Sequence, residues 1–320
     1  MTDKAALEAV LAPISAGRAT VRFDGGRASI VLDVTGLATD AQGEMEADVK
    51  AAAAALPGVD EVRVLLTSER KLRRMIAVAS GKGGVGKSTV AANLAIALAR
   101  GGRKVGMVDA DIYGPSQTKL LSAEGIRPKH KDEKLIPVET RFGVPLLSMG
   151  GLVAEGQAIA WRGPMAGSAL GQLVDAEWGD TELILIDLPP GTGDVQLTMV
   201  QKHKPDGAVI VSTPQDLALI DAARAMSFFG QAGVPVIGMV ENMSGYVCPH
   251  CGETSDPFGH GGAEAVARME EVQFLGHIPL DLAIRQESDA GRPPAAGDSA
   301  QGRAFLAIAD RLAAWLEQTA

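Results

Sequence analysis

The sequence predicts an α/β fold, in which helices flank a mostly parallel sheet and a small α+β domain comes first. From residue 75 onward, apolar β-branched runs alternate with helical patterns, which is typical of parallel strands covered on both faces. In addition, residues 81–88 match the phosphate-binding pattern G-x-x-x-x-G-K-[ST]. This motif lies between an apolar run and an Ala/Leu-rich helical segment, the strand-loop-helix context that the motif requires.

The first part of the chain, residues 1–68, is interpreted as a separate small unit. Its predicted elements alternate: helix 4–11, strand 19–23, strand 28–34, helix 44–56 and strand 61–66. Pro57-Gly58 ends the second helix. The charged segment 69–74 that follows is interpreted as a solvated linker.

The second part, residues 75–320, carries the larger predicted sheet. Its candidate strands are apolar: 76–80, 104–109, 145–148, 183–187, 208–212, 236–242 and 273–278. Helical patterns separate most of them, which predicts right-handed crossovers. In such sheets ligands bind at the carboxyl ends of the strands.

The phosphate loop supplies the first candidate site residues. They are consecutive: Gly81, Lys82, Gly83, Gly84, Val85, Gly86, Lys87, Ser88 and Thr89. The glycines allow backbone N–H groups to face a polyphosphate at the start of the predicted helix 90–100. We expect Lys87 to reach the β- and γ-phosphates and Ser88 to ligate Mg²⁺. Lys82 is a second lysine that an ordinary phosphate loop does not need.

Acidic residues follow two of the predicted strands. Asp187 suits a role beside the metal, and Asp111 suits the orientation of an attacking water. Asp109 has two possible roles, to hold a metal-bound water or to brace the loop. Each carboxylate also has a structural alternative, the capping of a following turn or helix. For Asp194, this alternative is the start of a helix over 195–202.

Both cysteines of the chain, Cys248 and Cys251, lie in one C-x-x-C motif within a predicted loop. A single C-x-x-C is compatible with a redox pair, half a zinc site or half an iron–sulfur site. Because one protomer supplies only two thiolates, the simplest completion is a twofold dimer that brings two such loops together. His250 is more easily explained as a spectator in so tight a turn.

Composition excludes several classes of function. The formal charge of −9 and the pI of about 5.1 argue against a nucleic-acid partner. No apolar run approaches the roughly 18 residues that span a bilayer, and the N-terminus lacks the pattern of a signal peptide. With two cysteines in 320 residues, we expect a cytoplasmic protein without a membrane partner.

Taken together, these motifs make the chain similar to a known family. It resembles the Mrp/ApbC-type iron–sulfur cluster carrier ATPases, within the MinD/ParA/nitrogenase-iron-protein class of phosphate-loop proteins. The matching segments occur in order along the chain: 82–89, 109–116, 161–165, 187–198, 241–244, 248–251, 258–262 and 275–280.

This resemblance implies a homodimer that binds ATP at its interface, with Lys82 reaching the partner's phosphates. It implies that Cys248 and Cys251 of two subunits share a 4Fe–4S cluster, which is passed to apoproteins. By the same analogy, Asn242 contacts the adenine and Pro279 lies nearby. The N-terminal unit looks like a degenerate MIP18-like domain, although it contains no cysteine.

The leading hypothesis is therefore an ATPase with slow hydrolysis, in which Lys82, Lys87 and Asp111 are catalytic, that carries an iron–sulfur cluster. A positioning or partition ATPase is the first alternative. It would need a basic surface or a basic amphipathic C-terminal helix. The last helical segment, 303–316, has only two arginines beside its apolar face, so packing on the domain is expected. A dimer bridged by structural zinc is the second alternative.

Overall fold

The computed structural model describes residues 3–319 except 36, 38, 68–72, 153–163 and 249. By its internal contacts the chain divides into two units, residues 1–72 and 73–320. Most of the predicted linker lies outside the described residues, and so does the greater part of the 161–165 segment.

The first unit packs two helices on a three-stranded sheet. Its elements are α1 (Lys4–Ser15), β1 (Ala19–Asp24), β2 (Arg27–Asp33), α2 (Thr39–Ala54) and β3 (Glu61–Thr67). β1 pairs antiparallel with β2, and β2 pairs parallel with β3. Leu7 and Leu11 of α1 are buried in its core. α1 begins after Asp3, whose carboxylate accepts the N–H of Ala6.

Two helix boundaries in this unit differ from the prediction. α1 extends beyond residue 11 to Ser15 and contains Pro13 in its last turn, where the missing N–H costs one hydrogen bond to an earlier carbonyl and the helix ends soon after. α2 begins at Thr39, five residues before the predicted start, and it ends at Ala54. These differences move the helix ends and leave the α+β arrangement as predicted.

The second unit contains a larger sheet and, separate from it, one two-stranded sheet. Its strands are β4 (Arg74–Ala79), β5 (Val105–Asp109), β6 (Lys129–Lys131), β7 (Lys134–Ile136), β8 (Leu146–Ser148), β9 (Leu183–Asp187), β10 (Gly207–Ser212), β11 (Val236–Val247), β12 (Thr254–Ser255) and β13 (Gln273–Leu280). Its helices are α3 (Lys87–Arg100), α4 (Gln117–Leu120), α5 (Pro164–Val174), α6 (Asp194–Thr198), α7 (Asp216–Gln231), α8 (Gly262–Met269), α9 (Leu282–Asp289) and α10 (Ala300–Gln318).

The strand order in the main sheet is β12-β11-β10-β4-β9-β5-β8, and β13 pairs with β11. Every pairing is parallel except that of β12 with β11. All seven predicted strands are confirmed. The β6–β7 hairpin and β12 were not predicted, because each strand has only two or three residues, too few to show an alternating apolar pattern.

Apolar layers cover both faces of the sheet. One layer includes residues of α3 and α10, and the other includes residues of α5 and α7. Six residues of α10 are buried: Gly302, Phe305, Ile308, Ala309, Leu312 and Leu316. The predicted packing of the C-terminal helix on its domain is therefore confirmed. None of the helices described is long and apolar enough to cross a membrane.

The sheet brings the predicted motifs to one edge. β4 leads into the phosphate loop, and β5 and β9 end at Asp109 and Asp187, which face each other in the strand register. β11 leads into the cysteine segment. Because parallel strands share the direction of their carboxyl ends, motifs that are distant in sequence are gathered at this edge.

Candidate functional site

The phosphate loop is shaped by close backbone packing at Gly81. A Cβ atom on Gly81 would lie 2.0 Å from the carbonyl oxygen of Asp221 in α7. Gly86, which precedes α3, has φ 80°, and a Cβ there would lie 2.2 Å from Nδ2 of Asn242. Glycine is therefore required at both positions, for contact at Gly81 and also for the left-handed backbone at Gly86.

Gly81→Ala is expected to lower the free energy of unfolding by about 3 kcal/mol, because the backbone of α7 cannot yield as a side chain can. Gly83→Ala is the matched control in the same loop. A Cβ on Gly83 meets only Cγ of Pro190 at 3.7 Å, an ordinary contact. Thermal melting of the nucleotide-free variants checks the pair, and equal melting temperatures would show that Gly81 is not packed in this way.

The remaining loop residues differ in exposure. Val85 is buried, Ser88 and Thr89 are half-buried, and Lys82, Gly83 and Gly84 are exposed. Lys82 is thus the one exposed lysine of the loop, and its carbonyl oxygen accepts the hydroxyl of Ser80 at 2.9 Å. Lys82 is therefore accessible at the surface, as the contact predicted with a partner subunit would require.

Lys87 lies at the centre of the acidic residues. It is buried, its Nζ donates to Oδ1 of Asp187, and it lies 3.9 Å from Oδ2 of Asp111. It also donates to Oγ of Ser88 at 3.3 Å. The buried ammonium offsets one of the two negative charges that the carboxylates carry. The sequence predicted that these three charged residues belong to one site, and the structure brings them together.

The two carboxylate oxygens of Asp111 have different surroundings: one caps a turn and the other faces Lys87. Its Oδ1 accepts the N–H groups of Tyr113 and Gly114 at 3.1 and 3.2 Å. Its Oδ2 is the oxygen that faces Lys87. The capping alternative and the water-orienting role therefore use different oxygens of one carboxylate.

Asp109 has the contacts of a brace. It is fully buried, and it accepts the hydroxyl of Ser148 at 3.0 Å and the N–H groups of Gln117 and Asp111 at 3.1 and 3.3 Å. Burial, and then the neighbouring Asp187 carboxylate, raise the pKa of Asp109 to about 7, although these hydrogen bonds act in the opposite direction. Of its two predicted roles, these contacts favour bracing the loop.

The sequence analysis missed Gln117, which joins three parts of this site. Its Nε2 donates to the carbonyl oxygen of Ser88 at 2.9 Å and to Oδ2 of Asp187 at 2.8 Å. Its Oε1 is buried and has no hydrogen-bond partner among the residues that the structure describes. No pattern of spacing points to Gln117, because its role depends on how α4 packs beside the phosphate loop.

Asp194 is exposed and begins α6. The helix predicted over 195–202 is present, but after Thr198 it continues as a π-helical segment, Met199–His203. Asp194 therefore lies where its structural alternative, the start of a helix, places it.

Asn242 contacts the phosphate loop directly. It is almost fully buried, and its Nδ2 donates to the carbonyl oxygen of Val85 at 2.9 Å. Pro279 lies in β13, the strand that pairs with β11, where Ile278 is opposite Asn242. The structure therefore brings the two residues predicted near the adenine to neighbouring strands, and it gives Asn242 a second task in supporting the loop.

The two cysteines lie at the tip of a hairpin formed by the end of β11 and β12. Tyr246 and Val247 pair with Ser255 and Thr254, and Cys248 N–H donates to the carbonyl oxygen of Glu253 at 2.9 Å. β11 thus continues five residues beyond its predicted end. The extension pairs with the short β12 at Tyr246 and Val247 and with β13 at Tyr246. Its residues do not form the continuous apolar run of a core strand, so the sequence did not indicate it.

The turn favours the thiolate form of one cysteine. Cys248 is half-buried and Cys251 is exposed, and both are free thiols. The backbone N–H groups of Cys251 and His250, together with the Cys251 side chain, hold the pKa of Cys248 below its usual value. Thiolates are the form that binds metals. Within the described part of the chain, no three His, Cys, Asp or Glu side chains are grouped to hold a metal ion.

The fold and the phosphate-loop geometry define a P-loop NTPase with an additional pair of free cysteines in a surface turn. A family model described as the NUBPL iron-transfer P-loop NTPase, of the ParA group, matches residues 71–313. The chain belongs to this family.

Individual relatives agree with this assignment. The chain is 45% identical over 304 residues to an iron–sulfur cluster carrier protein of Deinococcus radiodurans, covering 91% of this chain and 86% of that protein. It is 46% identical over 248 residues to the iron–sulfur cluster carrier protein of Escherichia coli K12, covering 77% of this chain and 67% of that protein.

Among solved structures, a nucleotide-binding protein of Archaeoglobus fulgidus in complex with ADP is similar, with a TM-score of 0.62 and 42% identity. That match covers 69% of this chain and 88% of the other. The cell division ATPase MinD of Pyrococcus furiosus matches with a TM-score of 0.59 and 25% identity over 76% of this chain and all of MinD.

Proposed function

We propose that this protein is an ATP-hydrolysing iron–sulfur cluster carrier that works as a homodimer. In this proposal, two subunits hold one 4Fe–4S cluster between their cysteine hairpins and pass it to apoproteins. The observation that carries the proposal is the pair Cys248, half-buried, and Cys251, exposed, in the turn directly after the strand that also contacts the phosphate loop through Asn242.

The nucleotide site supports ATP as the substrate. The loop ends at the start of α3, where backbone N–H groups and the helix dipole favour a polyphosphate. Lys87 would exchange its bond to Asp187 for the phosphates, and Oδ2 of Asp111 would orient the attacking water. Exposed Lys82 would complete the site of the partner subunit, which makes the dimer part of the chemistry.

The residues beside Ser88 fit a Mg²⁺ ion. They offer a hydroxyl oxygen from Ser88, a carboxylate from Asp187 and the orphaned amide oxygen Oε1 of Gln117. Oxygen donors of these kinds, directly or through water, are those that Mg²⁺ prefers. When bound, the ion supplies positive charge beside the β- and γ-phosphates.

The cysteine hairpin supports a cluster shared between subunits. A 4Fe–4S cluster with thiolate at every iron needs four cysteines, and each protomer has two. Exposure of Cys251 suits cargo that must reach another protein. The relatives named as cluster carriers are about 45% identical, whereas the similar MinD structure is 25% identical, which favours cargo over positioning.

Anaerobic reconstitution of the full chain with ferrous iron and sulfide tests this proposal. We expect about four iron atoms and four sulfides per dimer, an absorption band of the cluster, and a dimer in sedimentation. Zinc in the protein purified without air, together with no uptake of iron, would instead support the zinc-bridged dimer. Strong ATP-dependent pelleting with DNA or liposomes would support the positioning ATPase.

A further inference from the structure

Glu241 is a fully buried carboxylate for which the nucleotide chemistry has no use. It lies in β11 directly before Asn242, seven residues ahead of Cys248. An isolated buried carboxylate is costly, so its partners indicate what its charge stabilises.

Those partners come from three elements. Oε2 accepts the N–H of Ala263 at 2.7 Å, and Oε1 accepts the N–H of Gly261 at 3.1 Å, both at the start of α8. Oε1 also accepts the Ser244 hydroxyl at 2.7 Å and lies 3.1 Å from Nδ1 of His277 in β13. Burial raises the pKa of Glu241, but the hydrogen bonds from Ala263, Ser244 and Gly261 and the charge of His277 outweigh it, so the pKa is lowered.

These contacts close the two ends of the cysteine segment. Beyond Glu241 the outer part of β11 runs to Val247, and the chain returns to the core at Ala263; residues 250–260 between them are exposed throughout. One buried carboxylate therefore joins the outgoing strand to the returning helix. A charged acceptor with three donors, the N–H groups of Ala263 and Gly261 and the hydroxyl of Ser244, holds such a junction more firmly than neutral hydrogen bonds do.

The backbone between Glu241 and the cysteines is irregular. Met243 has φ 60°, in the left-handed region that is unfavourable for its side chain, and the pairing with β13 shifts between Asn242 and Tyr246. Because the pairing is interrupted here, the backbone hydrogen bonds between the strands do not by themselves fix the orientation of the hairpin. The hydrogen bonds of Glu241 span this interruption, since Ser244 lies within it and His277 lies on the neighbouring strand.

We propose that Glu241 is the positioning residue of the cysteine hairpin, holding it in a fixed place relative to the phosphate loop that Asn242 contacts. The inference rests on the proposed function for its consequence, a well-retained cluster. Adjacent residues of a strand point to opposite faces, so Glu241 fixes the hairpin base on one side while Asn242 touches the loop on the other.

The test compares the full-length protein with Glu241→Gln, which keeps the shape and removes the charge. In cluster-free protein we expect amide hydrogen exchange about tenfold faster, confined to residues 246–255 and 261–263. In reconstituted protein we expect release of the cluster to a chelator to be about 10–100-fold faster, as for other residues that support metal ligands. Glu270→Gln makes the same chemical change at the far, exposed end of α8 and should match wild type in both assays.

The outcomes separate positioning from general stability. Faster exchange spread over the whole second unit with a lowered melting temperature, or wild-type exchange in the hairpin, overturns the proposal. If Glu241→Gln does not fold, Ser244→Ala decides the question, because it removes one donor and retains both N–H bonds to α8. It must show a smaller increase confined to the hairpin, and no increase overturns the proposal. The exchange assay needs no cluster, so a wild type that binds no iron refutes the proposed function while the exchange result still decides on Glu241.

Discussion

Asp111→Asn is expected to lower kcat for ATP hydrolysis by about 10²–10⁴-fold, while ATP binding changes little. The substitution keeps the caps on Tyr113 and Gly114, because the amide oxygen can take the place of Oδ1. It removes the negative charge of Oδ2 beside Lys87, the oxygen proposed to orient water. Steady-state phosphate release and nucleotide titration of the same preparations measure the two effects.

The control for this prediction is Asp180→Asn. Asp180 is exposed, pairs with Lys104, and precedes the amino end of β9, far along the sheet from the site. Its substitution should leave kcat unchanged. Hydrolysis by Asp111→Asn at more than about half the wild-type rate would show that another group orients the water.

Replacing Cys248 and Cys251 with serine is expected to abolish cluster loading, because a serine hydroxyl is a far poorer ligand for iron than a thiolate. ATP binding should persist, since the contacts among Lys87, Asp187 and Asp111 do not involve the hairpin. Iron and sulfide analysis after anaerobic reconstitution gives the measurement.

His250→Ala is the matched control within the same turn. It lies between the cysteines and is exposed, and a spectator role predicts normal loading. If the double serine variant bound as much cluster as wild type, the cysteines would not be the ligands. If His250→Ala alone lost the cluster, a histidine ligand would replace the shared four-thiolate arrangement.

The strands of the main sheet were predictable because they are continuous apolar runs. β9 and β10 are buried along their whole length, and local composition marks such segments without reference to the rest of the chain. β12 and the extension of β11 were not predictable. Their residues are partly exposed, and they form because backbone pairing across the cysteine turn satisfies hydrogen bonds rather than because side chains are buried.

The candidate site shows the same division. Lys87 was found from the spacing of the phosphate-loop motif, and Asp111 and Asp187 were found because they follow predicted strands whose carboxyl ends meet at the site. Gln117 and Glu241 were not given roles. A buried glutamine or glutamate has no spacing rule, and its role comes from partners 70 and 22 residues away in the chain.

By itself, the sequence determined the class of this protein: an α/β P-loop fold, a phosphate loop with a second lysine, and one C-x-x-C pair of cysteines. These features are local, since each depends on the order of neighbouring residues. Only the tertiary structure decided that Asn242 supports the phosphate loop and that Glu241 closes the base of the cysteine hairpin. The reason is physical: a buried polar group must find its partners wherever packing places them, and packing brings together residues that the chain keeps far apart.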